Sequence, residues 1–198
     1  MTKPETLDNL LMEVRGCTLC ADHLPLGPRP VVRMQGGARI LIVGQAPGTK
    51  VHETGIPWND ASGDRLRDWL SLSKDIFYDE TKIAIMPMGF CYPGRDPKGG
   101  DKPPRPECAR TWHDRLLLHL PDIDLTLLVG SYAQKRYLGS AASATMTESV
   151  RNFRTHLSAG FLPLPHPSWR TTAWQRKNPW FDEEVLPVLR SRVGEYVA

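Results

Sequence analysis

A four-residue apolar run, Ile40-Leu41-Ile42-Val43, is followed at once by Gly44-Gln45-Ala46-Pro47-Gly48. No polar residue interrupts the run, so it suits a strand covered on both faces, as in a parallel sheet. The glycine- and proline-rich stretch after it must turn the chain sharply. Beyond a polar loop, Leu66, Trp69 and Leu70 recur at helical spacing, with Ser62 or Asp64 placed to cap the helix. Strand, tight glycine loop and helix in this order put a ligand site at the carboxyl edge of a parallel sheet. The loop carries Gln45, His52, Glu53, Trp58, Asn59 and Asp60, groups that stack, hydrogen-bond or move protons. It matches neither the Walker phosphate loop nor the G-x-G-x-x-G dinucleotide loop. Taken alone, it is equally well explained as a solvated connection.

Similar punctuation continues along the chain. Thr2-Lys3-Pro4-Glu5 has the form of a capping box, and Leu7, Leu10, Leu11 and Val14 give a short amphipathic helix that Gly16 ends. Residues 21–37 are rich in Pro and Gly and form a loop. Lys82–Met88 reads as a second strand with Pro87 at its end, because proline cannot serve a central ladder. A long charged loop over 89–107 precedes a helix over 106–120. Leu125–Val129 is a third strand, Ser131–Leu138 a helix and Gly139–Thr147 a loop. Val150, Phe153 and Leu157 mark a helical face, Phe161–Leu164 a fourth strand, and Phe181–Tyr196 a closing helix. Strands alternating with helices predict a single α/β domain over 1–198. It is a three-layer α/β/α sandwich around a short, mostly parallel four-stranded sheet.

The four cysteines are the second informative feature: Cys17, Cys20, Cys91 and Cys108. No apolar run approaches a membrane span and no signal-like segment opens the sequence, so a cytoplasmic protein is expected. In a reducing compartment, cysteines that begin with C-x-x-C read as metal ligands before they read as disulfides. Thiolates suit zinc or an iron–sulfur cluster, and spacing does not choose between them. The competing reading is four buried thiols packed as small hydrophobes. The net charge of +3 neither requires nor excludes a nucleic-acid partner.

The loop after the fourth strand, Pro165-His166-Pro167-Ser168-Trp169-Arg170, should face the Gly44–Asp60 loop across the sheet edge. Together they offer a histidine, an aromatic platform, a carboxylate, backbone amides and an arginine. That set suits an extruded base stacked on Trp58, with charge stabilised as the base leaves. The first loop, GQAPG with a downstream G-x-P-W and a Ser-Gly at the helix start, resembles motif A of the uracil-DNA glycosylase superfamily. The second, HPSWR, resembles its motif B. The nearest pattern is that of the bacterial and archaeal iron–sulfur group, often called family 4: GEAPG, a G-x-PF segment, HPS and four placed cysteines. Cys17, Cys20, Cys91 and Cys108 match all four, and the resemblance runs from about Cys17 to Arg170.

The resemblance implies a monomeric DNA-repair glycosylase that hydrolyses the N-glycosidic bond of uracil, or of related damaged bases, in DNA. It implies a 4Fe-4S cluster on the four cysteines, with zinc as the alternative. Catalysis is expected of His166 and Gln45, at positions the resemblance matches, and of Asp60, a carboxylate that the family pattern lacks there and that stands in for the missing acids. Gly44, Ala46, Pro47, Gly48, Trp58, Met86, Ser168 and Arg170 would bind the substrate. Several positions depart from the family. Gln45 replaces a glutamate, and Ala46 stands where the best-known branch has its water-activating aspartate. Val51 and His52 replace an acidic pair, Asp60 replaces a glycine, and Pro87 replaces the asparagine that reads uracil's polar edge. A metal-stapled nucleic-acid-binding protein without catalysis is the alternative that the lost acids at 45 and 46 would favour. An enzyme of the same fold that acts on another base, or crosslinks to its abasic product, is a further one.

Overall fold

The computed structural model describes residues 5–197. Thr6 caps α1 (Leu7–Arg15), its hydroxyl accepting from the Asn9 amide, and Gly16 closes it. The capping box suggested at Thr2–Glu5 begins at residues outside the described range. The sheet strands are β1 (Ile40–Val43), β2 (Ile83–Ile85), β3 (Leu125–Val129) and β4 (Phe161–Leu164). Their order is β2-β1-β3-β4, and all three pairings are parallel, so the expected "mostly parallel" sheet is parallel throughout. Arg33 adds an isolated antiparallel bridge to Ile85.

Between β1 and β2 lie α2 (Thr49–Thr54), α3 (Ala61–Leu70) and α4 (Lys74–Phe77). After β2 come α5 (Pro106–Leu117) and, beyond β3, α6 (Ser131–Leu138), α7 (Met146–Arg151) and α8 (Phe153–Leu157). After β4 come α9 (Thr171–Lys177) and α10 (Leu186–Val197), the latter entered through a π turn at Phe181–Val185.

Alternation along the strands sorts the core into two faces. Ile40, Ile42, Ile83, Ile85, Leu125 and Leu127 pack with Leu66, Trp69 and Leu70 of α3 and with Leu186, Leu189 and Val193 of α10. Leu41, Val43, Ala84 and Leu128 pack on the other face with Leu10, Leu11 and Val14 of α1 and with Ala109, Trp112 and Leu116 of α5. Every residue of β1 is fully buried, which is what its unbroken apolar run requires. Three layers result, and the loops after β1 and β4 emerge at the same edge. Among the described residues no helix is long and apolar enough to cross a membrane.

Candidate functional site

The chain leaves β1 through Gly44–Gly48, makes the single-turn α2, and folds back so that Trp58 lies against Gly44. A Cβ on Gly44 would stand 2.7 Å from Cζ2 of that ring, and one on Gly63 would stand 1.7 Å from the Trp58 carbonyl oxygen. Both glycines are therefore required by close approach rather than by their own dihedrals. Trp58 itself has φ 57°, a left-handed conformation that costs a bulky residue ~1–3 kcal/mol. Its neighbours hold it there. Arg67 Nη1 donates to the Trp58 carbonyl at 3.1 Å, and the Tyr78 hydroxyl donates to the Pro57 carbonyl at 2.9 Å. Arg67 is only 5 % exposed and also reaches the Tyr78 hydroxyl and Asp64.

Across the opening stands His166, delivered by the loop after β4. The Trp58 and His166 ring centroids are 5.8 Å apart at an interplanar angle of 35°. The His166 carbonyl accepts from the Ser168 amide and from the Thr171 hydroxyl, which fixes the turn. Burial holds the imidazole below its ordinary pKa, while the Asp60 carboxylate pulls more weakly the other way. The ring is thus neutral at physiological pH, able to donate from one nitrogen.

These groups line one pocket. Its polar wall includes the Gly44–Gly48 backbone, Asp60, Asp101 and His166, and its apolar wall includes Val31, Val51, Trp58, Ile85 and Pro87. Asp60 is the N-cap of α3, where Ser62 or Asp64 was expected: its Oδ1 accepts from the Gly63 amide at 2.8 Å. The extended backbone at Asp60 suits a cap, whereas Ser62 and Asp64 already lie inside the helix. Asp101 is a pocket residue that the sequence did not single out. Partial desolvation, helped by the Asp60 charge and opposed by Arg95, raises its carboxyl pKa.

Three expected substrate-binding residues, Met86, Ser168 and Arg170, do not line this pocket, and Gln45 does. Met86 is fully buried in the core on the α1 and α5 side, its amide donating to Ile42 O at 3.0 Å. Alternation turns it away while its neighbours Ile85 and Pro87 reach the pocket. Ser168 lies outside the pocket lining, and its carbonyl accepts from Arg65 Nη1 at 2.6 Å. Arg170 lies at the rim, stacked over the exposed Trp169 ring at 5.3 Å. Gln45 lines the pocket, but its side-chain amide donates to the Lys102 carbonyl at 3.3 Å. Pro87 presents its ring, because its carbonyl accepts from His113 Nε2 at 3.0 Å. His113 is fully buried, stacked on Phe90, and its Nδ1 meets the Tyr137 hydroxyl at 2.9 Å. Burial lowers its pKa to about 4. Its ring thus carries one proton, on Nε2, and accepts from tyrosine at Nδ1.

The four cysteines meet around a second cavity, between the end of α1 and the two ends of the 89–107 loop. Among the described residues no three His, Cys, Asp or Glu side chains converge on one metal-ion position. The sulfurs instead ring a shared space. Cys108 Sγ accepts from the Phe90 amide at 3.3 Å, a donor that suits a thiolate better than a thiol. Without a cation, burial pushes the Cys91 thiol up to about 11 and the Cys108 thiol up to about 12.

The sequence model of the uracil DNA glycosylase superfamily matches residues 33–190, a span that contains the whole sheet and both loops of the first pocket.

Proposed function

From the premise that this chain belongs to the uracil DNA glycosylase superfamily, we propose that it excises uracil, and related damaged pyrimidines, from DNA by hydrolysing the N-glycosidic bond. The observation that carries this reading is the Trp58–His166 pairing across a pocket at the carboxyl edge of the sheet. A base extruded from the duplex stacks on Trp58, whose backbone is locked and whose ring therefore costs little entropy to present. The C1′–N bond breaks with its electron pair leaving on the base. The neutral His166 imidazole donates to the oxygen beside that nitrogen and stabilises the anion, and amides of the Gly44–Gly48 turn add to it. Asp60 has one oxygen committed to the helix cap and lies beside the pocket, in reach of the region where water must attack.

The second cavity supports a structural cluster. Four thiols lining one cavity suit a 4Fe-4S cluster held by Cys17, Cys20, Cys91 and Cys108, with zinc as the alternative the same thiols would hold. The cluster would supply no chemistry to excision; its part is to tie α1 to the loop that borders the pocket. Single-turnover incubation with a uracil-containing duplex tests the reading. Alkali-labile strand product at uracil is the expected result, and binding without product would favour the non-catalytic alternative.

A further inference from the structure

Asp101 projects from an exposed loop into the pocket wall, and the reaction as described leaves it idle. We propose that Asp101 is a second catalytic carboxylate, which together with Asp60 holds the attacking water in the gap over Gly48. The proposal rests on the glycosylase reading.

The gap is defined by the structure. A Cβ built on Gly48 would stand 3.4 Å from Asp101 Oδ2 and 4.0 Å from Asp60 Oδ2. Two carboxylate oxygens from different segments thus look onto one side-chain-sized space above a residue that has no side chain. Two carboxylate oxygens on one side of it give the polar lining that an ordered water needs.

An exposed loop is ordinarily a poor platform for a reacting group. Here several contacts hold Asp101 in place. Asp101 pairs with Arg95 across a two-stranded bridge, and Lys102 N donates to Gly94 O at 2.8 Å. Asp96 N donates to Gly100 O at 2.9 Å, closing the tip. Gln45 ties the Lys102 carbonyl to the pocket floor. On the outer side, the Arg170 guanidinium lies 3.3 Å and 3.0 Å from where side chains on Gly99 and Gly100 would begin. The other acids of this loop are engaged elsewhere: Asp96 accepts from the Lys98 amide, and Glu107 pairs with Arg105.

In the proposed step the water oxygen bonds to C1′ as the base departs with the electron pair, and one water proton passes to Asp101. That proton is then lost to solvent, and the base anion takes one from solvent. Asp60 orients the same water and Arg95 faces the Asp101 carboxylate from its own hairpin.

The test is single-turnover excision of uracil by Asp101→Asn, Asp60→Asn, the double variant and Gly48→Ala. Gly48 has φ −83° and ψ 177°, which alanine also adopts, so Gly48→Ala should fold and fill the gap. Each single substitution should lower the maximal rate on the order of 10²-fold, with the half-saturating enzyme concentration unchanged. Because both carboxylates hold one water, the double variant should be little slower than the slower single. Asp101→Asn at the wild-type rate, or losses that multiply in the double variant, would overturn the proposal. An inactive wild-type enzyme on every lesion duplex would instead overturn the glycosylase reading beneath it.

Discussion

Arg67 donates from the interior of the protein to the carbonyl oxygen of Trp58, at 3.1 Å, and so holds the pocket's aromatic ring from behind. The ring position depends on a backbone that would otherwise relax out of the left-handed region. Arg67→Met leaves the Trp58 carbonyl and the Tyr78 hydroxyl without this donor, a loss of about 1–3 kcal/mol in urea unfolding. Excision should fall with it, because the freed loop no longer presents a fixed ring. Tyr78→Phe removes the bond to the Pro57 carbonyl and the acceptor that Arg67 reaches, and should cost about 1–3 kcal/mol. Full activity in Arg67→Met would show that the ring needs no such support.

Asp60 has two tasks that substitution can separate. Asparagine is as good an N-cap as aspartate, so Asp60→Asn keeps the bond to Gly63 and removes only the charge. It should slow excision while leaving the unfolding midpoint unchanged. Asp60→Ala should lose the rate and, in addition, about 1 kcal/mol of stability. Equal rates in Asp60→Asn and wild type would reduce Asp60 to a cap.

The cysteine site makes a spectroscopic prediction. Protein purified without oxygen should be brown, with broad absorbance where the visible meets the ultraviolet. A colourless protein with one zinc per chain would discard the cluster and keep the site. Binding energy at such a site is folding energy. Cys17→Ala should therefore lower the melting temperature markedly and change the excision rate of the surviving folded fraction little.

His113 predicts an acid limb to stability. Its folded pKa, about 4, lies below the unfolded value near 6.5. Above the unfolded value both states are neutral there and nothing is lost. As pH falls toward the folded value, the unfolded chain binds the extra proton and stability drops by about 3 kcal/mol. Guanidinium unfolding of wild type and His113→Phe between pH 7 and pH 4 checks this, with a flatter slope expected for the variant. The variant should also be less stable at pH 7, since the Pro87 carbonyl loses its donor.

Pro87 predicts breadth. Its carbonyl is occupied by His113 and its ring offers no hydrogen bond to a base edge. Apolar walls discriminate only ~10–200-fold, where a hydrogen-bonding site would do far better. Uracil should be excised fastest, with measurable release of other deaminated or damaged bases. Duplexes differing only in the lesion test this, and strict uracil specificity would mean that another group reads the edge.

Strand positions were legible because each is a short apolar run bounded by Gly, Pro or charged residues; β1, β3 and β4 begin and end where the sequence suggests. The meeting of Trp58 and His166 followed from topology, since loops at the carboxyl ends of parallel strands share an edge. Helix α2 was missed because, of its six residues, only Val51 is buried, so it carries no periodic signal. Helix α9, with only Thr171 buried, was missed for the same reason. Asn152 breaks the expected face into α7 and α8, and local hydrogen bonds decide such breaks. The role of Asp101 was illegible for another reason. Among Asp96, Asp101 and Glu107, only Asp101 lines the pocket, and the loop beside it is tied by Gln45, which is distant in sequence.

The two glycines under Trp58 differ in what they permit as the sequence drifts. Gly44 is confined by the ring, so a smaller side chain at 58 would release it. Gly63 is confined by the backbone carbonyl of 58, which every amino acid carries, so no change of side chain at that position releases it. The order of mutational steps is therefore fixed: position 44 can vary only after 58 has shrunk, while 63 stays glycine along every such path. A lineage remodelling this pocket for bulkier bases would have to trade the indole away first and accept a poorer platform before any new group could grow from position 44.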